Sequence, residues 1–330
     1  MNLSTTYLGM KLPHPIMAGA SPLSDELDTV KQLEDAGSAA IVLRSLFEEQ
    51  IVREQYDLLD QDASNESSAE ATTYFPSGEM AISGPDEYLN HLRRVKESVS
   101  IPVIASLNGS TPGGWLSYGH LIEQEGADAL ELNVYHPPID PERSGSEIEQ
   151  ETVAMVHEIK RGLKIPVAVK LSPFFTSFVH FARQLDREGA DGLVLFNRFY
   201  EADIDVQELE VTRTLHLSDS SELLLRLRGI AALAPLVKGS LAVTGGVHTG
   251  LDIVKSVMAG AHVTQMVSAL LKNGPGFLRT VRQDLVAWME ENEWSSLEEM
   301  RGNMSVDKIP NPRAYARANY MLMLQSWEGA

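Results

Sequence analysis

Short runs of consecutive apolar residues recur along the chain, mostly separated by stretches whose apolar positions fall at helical spacing. The runs are 15–19 (PIMAG), 39–45 (AAIVLRS), 103–107 (VIASL), 129–133 (ALELN), 167–171 (VAVKL), 192–197 (GLVLFN), 241–246 (LAVTGG) and 261–267 (AHVTQMV). Side chains that are apolar on successive positions, not on alternate ones, predict parallel strands buried on both faces. Amphipathic segments at 25–36, 115–125, 147–163, 178–188 and 250–259 predict helices between them. Several helices end alike, in EDAGSAA, EQEGADAL, DREGADGL and VMAGAHV. There Gly37, Gly126, Gly189 and Gly260 can take the left-handed position that closes a helix before the next strand. An open doubly wound sheet has a similar rhythm, but eight strands with this punctuation favour an α/β class (β/α)8 TIM barrel.

Two connections, 46–102 and 198–240, exceed a bare βα unit and predict long loops after strands two and six. The first holds the acidic, Ser-rich segment DQDASNESSAEATTYFPSGEM. Beyond the last strand, 277–292 predicts a helix, and Ser295–Glu298 and Ser296–Glu299 are alternative capping boxes for another. The tail 310–327 carries apolar and aromatic residues at near-helical spacing, which predicts packing on the barrel or on a neighbouring subunit. One domain, 1–330, with a helical extension from about residue 294 is expected, assembled as a homo-oligomer.

Composition removes several classes of function. The 330 residues include no Cys, which excludes disulfides, thiolate zinc sites, Cys-ligated iron–sulfur clusters and a Cys nucleophile. With 27 Lys+Arg against 46 Asp+Glu, the net charge is −19, so the overall field repels nucleic acid and anionic membranes. The nine His show no HxxxH or HxH spacing, so no metal site is expected. No run of about 18 apolar residues and no leader-like N-terminus are present, and a cytoplasmic protein is expected.

Reactive groups of such barrels gather at the C-terminal ends of the strands. In strand order these are Ala20 and Ser21; Arg44 and Ser45; Asn108; Asn133 with Tyr135 and His136; Lys170; Asn197 and Arg198; Gly245 and Gly246; and Ser268. A stable barrel needs only apolar layers, so this many polar ends points to a ligand site. The glycine pair after strand seven and Ser268 after strand eight occupy the places where barrels often hold a phosphate, although a lone GG also suits an ordinary tight turn. Lys170 interrupts an apolar strand, where a lysine needs a partner. That partner is an anionic ligand or a carboxylate such as Glu131; a Schiff-base nucleophile, as in an aldolase, is the other chemistry open to it. His136 lies on a loop stiffened by Pro137 and Pro138, and imidazole suits general acid–base work.

Taken in order, MAGAS (17–21), SLNG (106–109), GADALELN (126–133), IPVAVKLSP (165–173), FN (196–197), TGGV (244–247) and QMVSAL (265–270) resemble the flavin-dependent dihydroorotate dehydrogenases, nearest the soluble class. The resemblance implies a barrel with FMN across its mouth and oxidation of dihydroorotate, or a related dihydropyrimidine, to orotate in pyrimidine biosynthesis. It implies Ala20 and Ser21 along the flavin ring and Asn133 between flavin and substrate. Arg44 stands in place of the family's strand-two lysine, and Asn108 joins the cofactor set. Lys170 would contact the ring and ribityl oxygens, Gly245, Gly246 and Ser268 the phosphate, and Asn197 the substrate. By register His136 replaces the family's cysteine base, with Tyr135 as its alternative, and Pro138 replaces a substrate-binding asparagine. The family's Asn-rich substrate loop has no clear counterpart near Thr72–Gly78. The oxidant would be a soluble acceptor or a separate electron-transfer protein; a different cyclic substrate, or a flavoprotein without catalysis, is the other reading within this resemblance.

Overall fold

Eight parallel strands close into a barrel in the computed structural model, which describes residues 1–48, 50, 84–109, 112–134, 140–198, 203–212, 215–308 and 311–326. A short antiparallel hairpin, β1 (Thr5–Tyr7) and β2 (Met10–Leu12), precedes it. The chain continues through β3 (Ile16–Ala18), α1 (Leu27–Asp35), β4 (Ile41–Val42), β5 (Leu46–Phe47), α2 (Pro85–Ser98), β6 (Val103–Gly109) and α3 (Pro112–Gln124). Next come β7 (Ala129–Val134), α4 (Gly145–Gly162), β8 (Val167–Leu171), α5 (Phe178–Arg187) and β9 (Gly192–Leu195). A second hairpin, β10 (Asp203–Asp205) and β11 (Glu210–Thr212), then leads to α6 (Leu223–Leu233), β12 (Ser240–Thr244), α7 (Gly250–Ala259) and β13 (Val263–Met266). Helices α8 (Ser268–Asn273), α9 (Phe277–Glu291), α10 (Leu297–Met300) and α11 (Pro312–Gln325) follow. The ring runs β3, β4, β6, β7, β8, β9, β12, β13 and back to β3, and every pairing in it is parallel.

Each predicted strand coincides with a barrel strand, and the glycines assigned to helix ends do lie at positive φ, from 86° at Gly126 to 125° at Gly260. The two capping alternatives resolve to Ser296, whose Oγ accepts from the Glu299 amide at 3.2 Å. The acidic segment 60–80 lies outside the described residues.

The core has two parts. Residues facing outward from the strands pack against the helices. Facing inward, Met17, Val42, Ile104, Ala129, Ala168, Val194, Ala242 and Val263, one from each strand, form an apolar floor with Tyr7, Leu8 and Leu12 of the first hairpin. Leu8 presses on β9 at Gly192, where an added Cβ would stand 2.7 Å from Leu8 Cδ2 and 3.1 Å from the Ser240 carbonyl oxygen. The hairpin thus closes the N-terminal end of the barrel and leaves the opposite mouth as the opening. Three-residue strands carry too little pattern to be read from sequence, so this element was not expected.

Helix α11 forms where the spacing of the tail predicts it, and Tyr320, Met321, Leu322, Met323 and Leu324 are 59–69% exposed, so this part of it does not pack on the barrel. Five successive helical positions point all around the axis, so this turn has no face turned to the body.

Candidate functional site

Side chains of a strand alternate faces, so two residues above each floor position the chain again points inward. Counting up from Ile104, Ala129, Ala168, Ala242 and Val263 gives Ser106, Glu131, Lys170, Thr244 and Gln265, a polar layer directly on an apolar floor. Glu131 and Gln265 have no exposed surface and Lys170 retains 7%. Lys170 Nζ donates to Glu131 Oε1 at 3.3 Å, and Gln265 Nε2 donates to Glu131 Oε2 at 2.7 Å. The carboxylate is therefore held from both sides, while the ammonium, which has three donors, spends one of them on it. Burial, and then the Glu131 charge, push the Tyr7 phenol well above its ordinary range. Ser106 joins a second inward group: its Oγ lies 2.8 Å from Ser45 Oγ, and its amide donates to Tyr88 Oη at 2.9 Å.

One step higher, Asn133 is level with Lys170 on β8 and with Asn108 on β6. Its Oδ1 is buried and has no hydrogen-bond partner among the described residues, and the same holds for Gln265 Oε1. Unpaired buried carbonyls of this kind cost about 1–3 kcal/mol each unless a ligand or water meets them. Gly19 brings the chain after β3 close to this layer, since a Cβ there would stand 2.8 Å from Val267 Cγ2 and 3.5 Å from Gln265 Oε1.

Across the mouth, Gly245 and Gly246 sit at φ 85° and 79° after β12. A Cβ on Gly246 would lie 2.5 Å from the Leu223 nitrogen, so the loop runs hard against the start of α6. Ser218 joins the two loop ends: the Gly246 amide donates to Ser218 Oγ at 3.3 Å, and the Ser218 amide and hydroxyl donate to Ser268 Oγ at 3.1 and 2.9 Å. Behind Gly245 stands Arg226, donating to the Thr244 carbonyl at 3.2 Å and the Glu222 carbonyl at 2.8 Å. Among the described residues Lys170 and Arg226 are the only buried Lys or Arg side chains, and both are at the mouth.

The structure thus gathers Asn108, Asn133, Lys170, Gly245, Gly246 and Ser268 around one opening. Ser21 is buried beside it, its carbonyl accepting from Ser24 Oγ, and Ala20 is half-buried against the floor residues. Asn197 is half-buried, with its amide donating to the Leu171 carbonyl at 2.7 Å at the end of β8. Arg44 is a correction. Its guanidinium pairs with Asp25 at 3.1 Å, is about half exposed, and lines a polar cavity with Glu87 and His91 instead of joining the polar layer. The cause is register: Val42 pairs with Ile104 but Leu46 with Leu107, so four steps of one strand span three of the next. The extra residue is a bulge that turns Arg44 away and brings Ser45 inward. Tyr135, His136, Pro138 and the segment Thr72–Gly78 lie outside the described residues. Sequence reasoning missed Gln265, Ser218 and Arg226 as site residues. Period-two counting from the floor finds Gln265; Ser218 belongs to an irregular stretch after strand six, and Arg226 is a basic residue in the first turns of α6, so neither carries such a signal.

Among the described residues, no helix is long and apolar enough to cross a membrane, and no three His, Asp or Glu side chains are grouped to hold a metal.

A family model described as dihydroorotate dehydrogenase matches residues 80–289. The catalytic subunit of dihydroorotate dehydrogenase B (NAD(+)) from Thermoplasma volcanium is 27% identical over 91% of this chain and 98% of its own length. The chloroplastic dihydropyrimidine dehydrogenase (NADP(+)) of Arabidopsis thaliana is 24% identical over 92% of this chain and 76% of its own. The PreA subunit of NAD-dependent dihydropyrimidine dehydrogenase from Escherichia coli K12 is 24% identical over 94% of this chain and 78% of its own.

Proposed function

The chain belongs to the dihydroorotate dehydrogenase family, and from that premise we propose that it oxidises dihydroorotate to orotate with FMN held across the barrel mouth. As a member of this flavin-dependent family it is an oxidoreductase acting on CH–CH bonds. The observation that carries the finer reading is the pairing of two sites on one opening. A buried ammonium beside unpartnered amide oxygens stands on one side, and a positive-φ glycine loop converging with Ser218 and Ser268 stands on the other. Those groups fit a planar ring rich in donors and acceptors that carries a phosphate tail.

In this reading Lys170, Asn133, Ala20 and Ser21 would hold the ring, with Gly245, Gly246, Ser218 and Ser268 at the phosphate and Arg226 as the cation behind the loop. FMN, when bound, supplies a two-electron acceptor for hydride from the substrate ring. The chain's own part is to orient that ring through Asn133 and Asn197, to keep water out with the apolar floor and first hairpin, and to remove a proton. His136 is the proposed base, by its register with the family's cysteine. The electrons would leave to a soluble acceptor or a separate electron-transfer protein, as suits a relative named as a catalytic subunit.

A second reading, a dihydropyrimidine without the carboxylate, is favoured by Pro138. It stands where the resemblance sets a substrate-binding asparagine, and a proline has no N–H to donate.

Anaerobic absorbance spectra of the FMN-loaded protein, before and after each ring, test both. Bleaching by dihydroorotate, slowed about 10²-fold or more in His136→Ala, is expected. Bleaching only by the carboxylate-free ring replaces the first reading with the second, and protein that cannot take up FMN refutes both.

A further inference from the structure

Glu131 is the charged member of the polar layer that the proposed reaction leaves without a task. Its carboxylate has no exposed surface and is held between Lys170 Nζ and Gln265 Nε2. A buried carboxylate–ammonium pair is on balance no more stabilising than apolar residues of the same volume, so packing alone gives no reason for it. Its position does. Lys170 is 9% exposed at its side chain, and with the floor closed below, that surface faces the mouth. The same ammonium is therefore tied to Glu131 from beneath and open to a ligand from above. Gln265 completes the arrangement: with Nε2 committed to the carboxylate, its unpartnered Oε1 is turned toward Gly19.

We propose that Glu131 is a positioning residue that sets the charge of the barrel mouth. It fixes the Lys170 ammonium in place and offsets its charge, so that a flavin above it meets a carboxylate–ammonium dipole and not a free cation. This rests on the FMN reading given above. A fixed negative charge beneath the ring opposes the arrival of electrons, and a fixed positive charge favours it. Glu131 and Lys170 therefore act on the flavin with opposite signs, which residues serving only to hold the fold together would not do.

The test is a potentiometric titration of flavin-loaded wild type, Glu131→Gln, Lys170→Met and Gln265→Met. The midpoint potential should move positive in Glu131→Gln and negative in Lys170→Met. It should move negative in Gln265→Met, where one carboxylate oxygen loses its donor while the formal charge stays the same. A wild type that binds no FMN overturns the FMN reading and this proposal together. A wild type that binds FMN while Glu131→Gln and Lys170→Met shift in the same direction, or not at all, overturns the Glu131 proposal alone. Where Glu131→Gln yields no folded protein, Gln265→Met decides: a potential unchanged or moved positive refutes it.

Discussion

Replacing Lys170 by Met isolates the energetics of the polar layer. Met matches the aliphatic stem of lysine but carries no charge, so the variant leaves the Glu131 carboxylate fully buried with the Gln265 amide alone. Breaking a buried ion pair from one side costs about 3–5 kcal/mol, because the surviving charge keeps its desolvation penalty and loses its compensation. At roughly 2 °C per kcal/mol for a chain of this size, the melting temperature should fall by about 6–10 °C. Removing both charges, in Lys170→Met with Glu131→Leu, deletes the penalty along with the attraction and should return stability to within about 1 kcal/mol of wild type or above it. Urea unfolding of flavin-free protein measures all four corners of the cycle, wild type, Lys170→Met, Glu131→Leu and the double variant, since bound FMN would add its own binding free energy to each. The coupling across the cycle should reach about 3 kcal/mol. A single variant within about 1 kcal/mol of wild type, or a double variant no more stable than the single, would show that the layer is solvated and the argument wrong.

Gly246→Ala should weaken FMN binding by about tenfold or more in a flavin-fluorescence titration, since its Cβ meets the Leu223 backbone and its φ of 79° disfavours any side chain. Gly126→Ala, with positive φ but nothing within 4 Å, is the control that should bind normally; equal affinities in the two would place the phosphate elsewhere. His262 is pushed down from 6.5 to about 4, first by burial and then by the Arg301 charge, and His14 to about 4 by burial and Arg282. A depressed imidazole contributes stability that is complete above about pH 6.5 and is lost as pH falls through about 4, about 3 kcal/mol for each group. His262→Asn keeps an acceptor for the Leu241 amide but does not titrate, so the acid decline of the melting temperature between pH 6.5 and 4 should be visibly shallower; an unchanged slope refutes the assignment.

How far the sequence discloses this molecule follows from which forces act locally. Runs of buried parallel strand and glycine-closed helices are written into consecutive residues, and these were legible down to Gly37 and Gly260. Ring closure was favoured by the count of eight units, but their rhythm is shared with an open sheet, and it is the pairing of β3 with β13, from opposite ends of the chain, that closes the ring. The β1–β2 hairpin was not legible, since three-residue strands carry no period, and its role is defined only by Leu8 meeting Gly192 on the far side of the chain. Arg44 misled for a related reason: it stands at the right place along the strand, but one extra residue relative to β6 rotates it out, and register is a property of two strands. Ser218 reaches the glycine loop from an irregular stretch and Arg226 from the start of α6, and neither period nor motif marks them as site residues.

What the two ends of the mouth share is charge held against the field of the whole molecule. A chain of net charge −19 repels a phosphate and an anionic substrate at long range. Binding must then come from short-range donors in a low-dielectric place, where an ammonium or guanidinium counts for more than the same group on the surface. Lys170 and Arg226 are the two basic side chains buried among the described residues, and each is tied to an acidic residue: Lys170 to Glu131 at 3.3 Å, Arg226 to Glu222 at 3.6 Å and to its carbonyl at 2.8 Å. Each cation thus stays held while no ligand is bound, and Lys170 keeps its remaining exposed surface toward the mouth. The arrangement also explains why the acid partners cannot be treated as bystanders. If the cations alone mattered, Glu131 would be a cost without a return, and its neutral variants would bind and reduce flavin as the wild type does.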